Sequence, residues 1–255
     1  MDGQYSMADV SSCADALRAA ERGALRPEEE YCVTVAGGIP KDSGPWHYID
    51  IPIPVTSDSL DAYCPNGNCV VAKIKSFTNT LRDSADEPER RAALMYLIHF
   101  IGDIYQPLHC VERKCDQGGN QEHVNFYLKN EERVDHRLHQ VWDSDLVDKS
   151  KTDAKITDDR LYAISLVNAL KERDADKWAQ QSIDEIAWDG YRIAEQHAYR
   201  GIPEQDFCEM KERPVKPLIT DLDSDYEKEG ASIAREQLMK AGVRLAELLE
   251  KNLTR

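Results

Sequence analysis

Apolar residues recur at helical spacing in several stretches of the chain. In residues 7–24, Ala8, Val10, Ala14, Leu17 and Ala20 fall on one stripe; in 69–82, Val70, Ile74, Phe77 and Leu81 do the same. The clearest pattern is 86–105, where Ala93, Leu94, Leu97, Ile98 and Ile101 line one face and Glu87 and Pro88 mark the start. Further helices are predicted over 134–148, 158–172, 176–199 and 227–252. Segment 26–45, with GG, IP and SGP, reads as loop. WHYIDIPIPV at 46–55 reads as an extended run punctuated by proline, CPNGNC at 64–69 as a turn, and 112–121 as a polar, Gly-rich stretch. HVNFYL at 123–128 is the one short strand expected. With no internal repeat and no clear boundary, the pattern predicts an all-α (mainly α) fold, one domain over 1–255 with long functional loops.

Composition changes this picture in two ways. Apolar residues make up 41% of the chain, enough for a sizeable core, and no apolar run approaches the roughly 18 residues of a membrane span. The net charge of −15 argues against a protein that grips duplex nucleic acid by neutralising phosphates with Lys and Arg. It leaves open a phosphate site built on cations held by Asp. Of the 7 Cys, Cys64 and Cys69, and Cys110 and Cys115, form two close pairs. Both are read as short-loop disulfides, with metal half-sites as the alternative, and hence as a sign of an oxidising compartment. Cys13, Cys32 and Cys208 remain, so at least one thiol stays free. MDGQYSMADV is not a signal peptide, having neither basic start nor apolar core.

The histidines carry the candidate chemistry. His99 and Asp103 lie four apart on the apolar helix, so both point the same way. His109 follows after QPL. His139 and Asp143 repeat the His-x3-Asp spacing further on, His47 sits in the extended run, and Asp15 lies on the first helix. Imidazole and carboxylate together suit zinc, and also manganese, iron or cobalt, over magnesium or calcium. Spacing alone gives a candidate di-metal site; His123 fits a core position, and His136 and His197 fit the surface.

The strings themselves go further. HFIGDIYQPLH (99–109), GGN (118–120) and LHQVWDSDLV (138–147) closely resemble the core motifs of the S1/P1 nucleases. ADALR (14–18), WHYIDIP (46–52), CPNGNCVVAKI (64–74), KWAQQSIDEIA (177–187) and AGVRLAELL (241–249) are similar to other family segments in the same order. The resemblance implies a phospholipase C-like helical fold with a zinc cluster in a cleft, acting on single-stranded DNA or RNA and on 3'-nucleotides. Carried over position by position, it implies one zinc on Asp15, His47, His99 and Asp103, and a second on His109, His139 and Asp143. Asp15 would activate the attacking water and Arg18 would face the scissile phosphate. Tyr48 would stack on a base, Asp50 would bond its edge, and Asn120 would line the nucleotide site. A monomer, secreted or periplasmic in its full-length form, is expected. A lipid phosphodiesterase on the same scaffold fits less well, because Tyr48 and Asp50 together suit a base.

One feature departs from the family pattern. Its members begin with a tryptophan, followed shortly by a histidine, which complete a third zinc site. Here the first Trp is Trp46, the first His is His47, and Cys13 stands where a tryptophan is usual. Of the third site only Asp103 is expected. A start upstream of Met1 would account for this and for disulfides without a leader. The alternative is a short form, a two-zinc enzyme of weak activity or an inactive zinc-binding relic.

Overall fold

The computed structural model describes residues 5–127, 133–170, 175–212 and 216–253. Its centre is α5 (Glu87–Ile104). Asp86 caps it by accepting a hydrogen bond from the Glu89 amide (3.2 Å), and Pro88 and two acidic residues favour its first turn. Ala93, Met95, Leu97, Phe100, Ile101 and Ile104 are buried almost completely, so this helix is covered nearly all round. Around it pack α2 (Cys13–Ala20), α3 (Glu30–Ala36), α4 (Val70–Asp83) and α12 (Ser224–Leu253). The order of elements otherwise runs α1 (Met7–Val10), α6 (Leu138–Gln140), α7 (Leu146–Asp153), α8 (Asp159–Leu170), α9 (Ala175–Gln180), α10 (Ile183–Ile193) and α11 (Phe207–Glu212). A three-stranded sheet of order β2-β1-β3 completes the fold. In it β1 (His123–Tyr127) pairs antiparallel with β2 (Arg133–Arg137) and parallel with β3 (Ile219–Asp221). The mainly α architecture expected from the pattern is what the chain adopts.

Several boundaries moved for local reasons. The stripe at 7–24 breaks at Ser11–Ser12 into α1 and α2. The segment read as loop holds α3, which ends where Gly37 turns left-handed (φ +76°) and donates its amide to Thr34. Residues 134–137, predicted as helix, form β2, and the helix begins at Leu138. The helix expected over 176–199 is interrupted before Ser182, which opens α10 with a capping box to Glu185. α11 and β3 lie where no element was expected. Leu128, in the expected strand, and residues 171–172, in an expected helix, lie outside the described residues.

The cysteine pairing is a correction. Cys64–Cys69 is a disulfide as expected, but Cys110 does not pair with Cys115. Cys115 joins Cys208, 93 residues away, and Cys13 joins Cys32. Among the described residues Cys110 is the free cysteine. It is fully buried, donates to the Ile104 carbonyl (3.4 Å) and packs against Gly190, where a Cβ would lie 2.9 Å from its sulfur. Burial pushes its thiol well above the usual range. Alkylation of the unreduced protein should therefore label nothing in the native state and Cys110 alone in denaturant. Peptide mapping checks this, and label on Cys115 or Cys208 would contradict it.

Candidate metal centre

Four segments converge on one cleft of about 430 Å³, lined by Asp15, Arg18, His47, Asp103, His109, His139 and Asp143 among others. Asp15 and Arg18 are brought there by α2 and Asp103 by the last turn of α5. His47 ends a short 3-10 turn, Gly44–His47, where an extended run was expected from Trp46 on; the extended run proper starts at Tyr48 and is laced to the turn after α5. Ile49 donates to the His109 carbonyl (2.8 Å), Glu112 to Ile51 (2.9 Å) and Ile53 to Glu112 (3.0 Å). His139 and Asp143 come from the helix starting at Leu138. Its turn Val141–Asp145 is widened, with the Leu146 amide reaching back to the Val141 carbonyl. Such wide turns are frequent where side chains must converge.

Two groups of donors result. In the first, His47 Nδ1 lies 3.1 Å from His99 Nε2, and Asp103 Oδ2 lies 3.0 Å and 3.1 Å from these two atoms. Asp15 stands at the mouth, 3.6 Å from His47 and 3.7 Å from His99, and its side chain is 62% exposed. In the second, Asp143 lies 3.4 Å from His109 Nε2 and 3.3 Å from His139 Nε2, with the two rings stacked at 4.9 Å. Asp103 reaches both groups, its other oxygen 3.7 Å from His109 Nδ1.

The donor set fits zinc. His99 Nδ1 contacts the Ser11 carbonyl, His109 Nδ1 the His47 carbonyl and His139 Nδ1 the Gly118 carbonyl, each at 2.7 Å. A carbonyl can only accept, so each Nδ1 carries the proton and each Nε2 is turned into the cleft. That is how metal-ligating histidines are oriented. Zinc with ligands at about 2.0–2.2 Å and tetrahedral angles separates them by about 3.3–3.6 Å, close to the spacings seen. His47 Nε2, buried and without a partner, is the one ring nitrogen of the set that nothing holds.

Charge ties the groups together. Burial disfavours the imidazolium of His99, but the Asp103 charge and hydrogen bond, with Asp15, outweigh it and push His99 up to about 9. His109 likewise rises to about 9 against burial, through Asp103 and Asp143. Burial and the neighbouring His109 hold His139 below its usual value. Asp103 and Asp143, despite burial, are held below the carboxylate range by these histidines. In the metal-free protein, stabilisation from His99 and His109 is complete below the unfolded value near 6.5 and is lost as pH rises through about 9; that from Asp103 is present above about 3.8 and lost on acidification. The thermal midpoint of chelated protein should fall between pH 7 and 9. Zinc should weaken that dependence, because bound metal displaces the same protons.

The remaining expected residues are placed less centrally. Arg18 lines the cleft with its Nε buried and unpartnered. Tyr48 is half-buried; burial, then Asp50, raises its phenol, with Arg18 acting the other way. Asp50 keeps access to solvent, yet crowding and the charges of Glu112 and Asp116 push its carboxyl up to about 7. Asn120 is exposed at the end of the GGN turn, its amide donating to the Gln117 carbonyl (3.0 Å). Tyr48, Asp50 and Asn120 are thus not among the residues that line the cleft. His123, His136 and His197 pair with Asp135, Asp145 and Glu229 outside the cluster. Gln106 was missed: its amide donates to Asp143 (2.7 Å) and its oxygen caps the turn at Leu108. Its place in QPLH, between the candidate ligands Asp103 and His109, is the available signal.

The S1/P1 nuclease profile matches residues 1–254. The chain belongs to the S1/P1 nuclease family. It is similar to Endonuclease 2 of Arabidopsis thaliana, 29% identical over 234 residues, covering 82% of this chain and 71% of the relative. Nuclease S1 of Aspergillus oryzae is 26% identical over 233 residues, covering 87% and 75%. Nuclease P1 of Penicillium citrinum is 33% identical over 149 residues, covering 56% and 51%. As a member of this zinc-dependent family the chain is a nuclease, a hydrolase of phosphodiester bonds in nucleic acid. Among the described residues no helix is long and apolar enough to cross a membrane.

Proposed function

We propose that this S1/P1 nuclease cuts single-stranded DNA or RNA and removes 3'-phosphates from nucleotides, using two zinc ions. Asp15, His47, His99 and Asp103 would hold one, and His109, His139 and Asp143 the other. Asp103 is also the one residue here that a third ion of the family type would use. Zinc held there supplies Lewis acidity and a water acidic enough to give hydroxide near neutral pH. Asp15, exposed at the mouth, would orient the attacking water and take up its proton. Arg18 offers a guanidinium fork to the charge building on the phosphate oxygens. Tyr48 stacks on an unstacked base, which favours single strands, and Asp50 accepts from a base N–H. Asn120 borders the nucleotide. Three disulfides support an oxidising location, secreted or periplasmic, for the full-length form, and we take the protein as monomeric.

The observation that carries this reading is the set of three Nδ1-to-carbonyl bonds, which turn His99, His109 and His139 to present Nε2 beside Asp103 and Asp143. The test measures bound zinc per chain alongside cleavage of a single-stranded oligonucleotide and release of phosphate from a 3'-nucleotide. Near two zinc ions per chain and cleavage abolished by a chelator and restored by zinc are expected. Cleavage indifferent to chelation, or a chain that takes up no zinc, would overturn it.

A further inference from the structure

Behind the second group lies a buried polar assembly that the ligand set does not call for. Asp116 is fully buried, and its carboxylate accepts from the Arg113 amide (2.9 Å), the Gly119 amide and the Tyr199 hydroxyl (2.6 Å). The Arg113 guanidinium lies over the Tyr199 ring at 4.1 Å and donates to Glu122 (2.6 Å) and to the Ile202 carbonyl (3.1 Å). Gln205 donates to the other Glu122 oxygen (2.8 Å). Arg113 and Glu122 are 6% and 0% exposed. Replacing a buried charge pair with apolar side chains is often neutral or stabilising, so stability alone is a poor reason for this one.

What the assembly fixes is one turn of backbone. The Gly119 amide, whose peptide carries the Gly118 carbonyl, faces Asp116, and two carbonyls of this turn are presented to the same residue. Gly118 accepts from His139 Nδ1 (2.7 Å) and Gly119 from the His139 amide (3.3 Å). Glu122 adds a third tie, its carbonyl accepting from the Leu138 amide (3.0 Å). A shift of this turn would rotate the His139 ring about its Nδ1 and carry Nε2 away from Asp143.

We propose that Asp116 and Tyr199, backed by Arg113 and Glu122, are positioning residues for His139, setting the affinity of the second metal group from the far side of the Gly118 carbonyl. This rests on the reading of His109, His139 and Asp143 as zinc ligands. Loss of such an outer partner typically weakens metal binding 10–100-fold.

The test uses the full chain with Asp116→Asn, Tyr199→Phe and, as a stability control, Leu248→Ala, a buried position on α12. Two successive zinc affinities are measured by competition with a chelator, the visible spectrum of the cobalt(II) protein is recorded, and thermal midpoints are taken. Expected are a loss of about 10–100-fold in one of the two affinities for Asp116→Asn and a smaller loss in the same one for Tyr199→Phe. Both should alter the cobalt spectrum, while Leu248→Ala lowers the midpoint without moving either. If Asp116→Asn does not fold, Tyr199→Phe decides alone. Wild-type affinities and spectrum in the variants, or losses at both sites that track the midpoint as in the control, would overturn the proposal. Wild-type protein that binds no second zinc would sink the ligand reading itself, and this proposal with it.

Discussion

Asp103→Asn should disable both metal groups at once and destabilise the metal-free protein. The carboxylate touches His47 and His99 at 3.0–3.1 Å and lies 3.7 Å from His109. Asparagine keeps the shape and removes the charge. In the metal-free chain that strands the protonated His99 and His109 in a buried setting without their main counter-charge, and such a loss costs about 3–5 kcal/mol. The deficit should shrink above pH 9, where both rings are neutral in the wild type as well. In zinc-loaded protein, cleavage of single-stranded DNA should fall by on the order of 10²–10³-fold or more. Urea melts with and without chelator, metal content and oligonucleotide cleavage check these in one preparation. A variant as stable as wild type in chelator at pH 7 that also keeps its zinc would remove Asp103 from the centre of the cluster.

The second large effect is expected from Gly118→Ala. Gly118 has φ +59°, and a Cβ there would collide with the Leu108 carbonyl oxygen, a backbone atom anchored between Gln106 and His109 in the turn after α5. Left-handed strain and the collision add, and a loss of about 3 kcal/mol or more is expected. The Gly118 carbonyl also orients His139, so zinc stoichiometry should drop toward one. Thermal melts and metal analysis measure both. A fully loaded, equally stable variant would show that the turn can be rebuilt without glycine.

What was legible in the sequence was local. A His and an Asp four apart on a helix must share a face, and the strings from His99 to His109 and from Leu138 to Val147 carried family identity as well. What was not legible depends on distant partners. Cys115 finds Cys208 across 93 residues, and spacing pointed instead to its near neighbour Cys110. Residues 134–137 continue a helical pattern in sequence, yet pairing with His123–Phe126 makes them a strand. The break before Ser182 was readable, since Ser-x-x-Glu is a start signal, but the apolar pattern ran through it. The GGN turn was noticed for its asparagine, whereas the structure shows the carbonyl of its first glycine bonded to a candidate ligand.

The long disulfide has a bearing on survival outside the folded core. Cys115–Cys208 encloses the GGN turn, β1, β2 and the helix bearing His139 and Asp143, and Cys13–Cys32 likewise encloses Asp15. A single peptide cut between residues 116 and 207 would open the backbone without releasing a fragment, because the two pieces stay covalently joined around the second metal group. Where proteases share the compartment, this nuclease can be nicked there and still travel as one molecule.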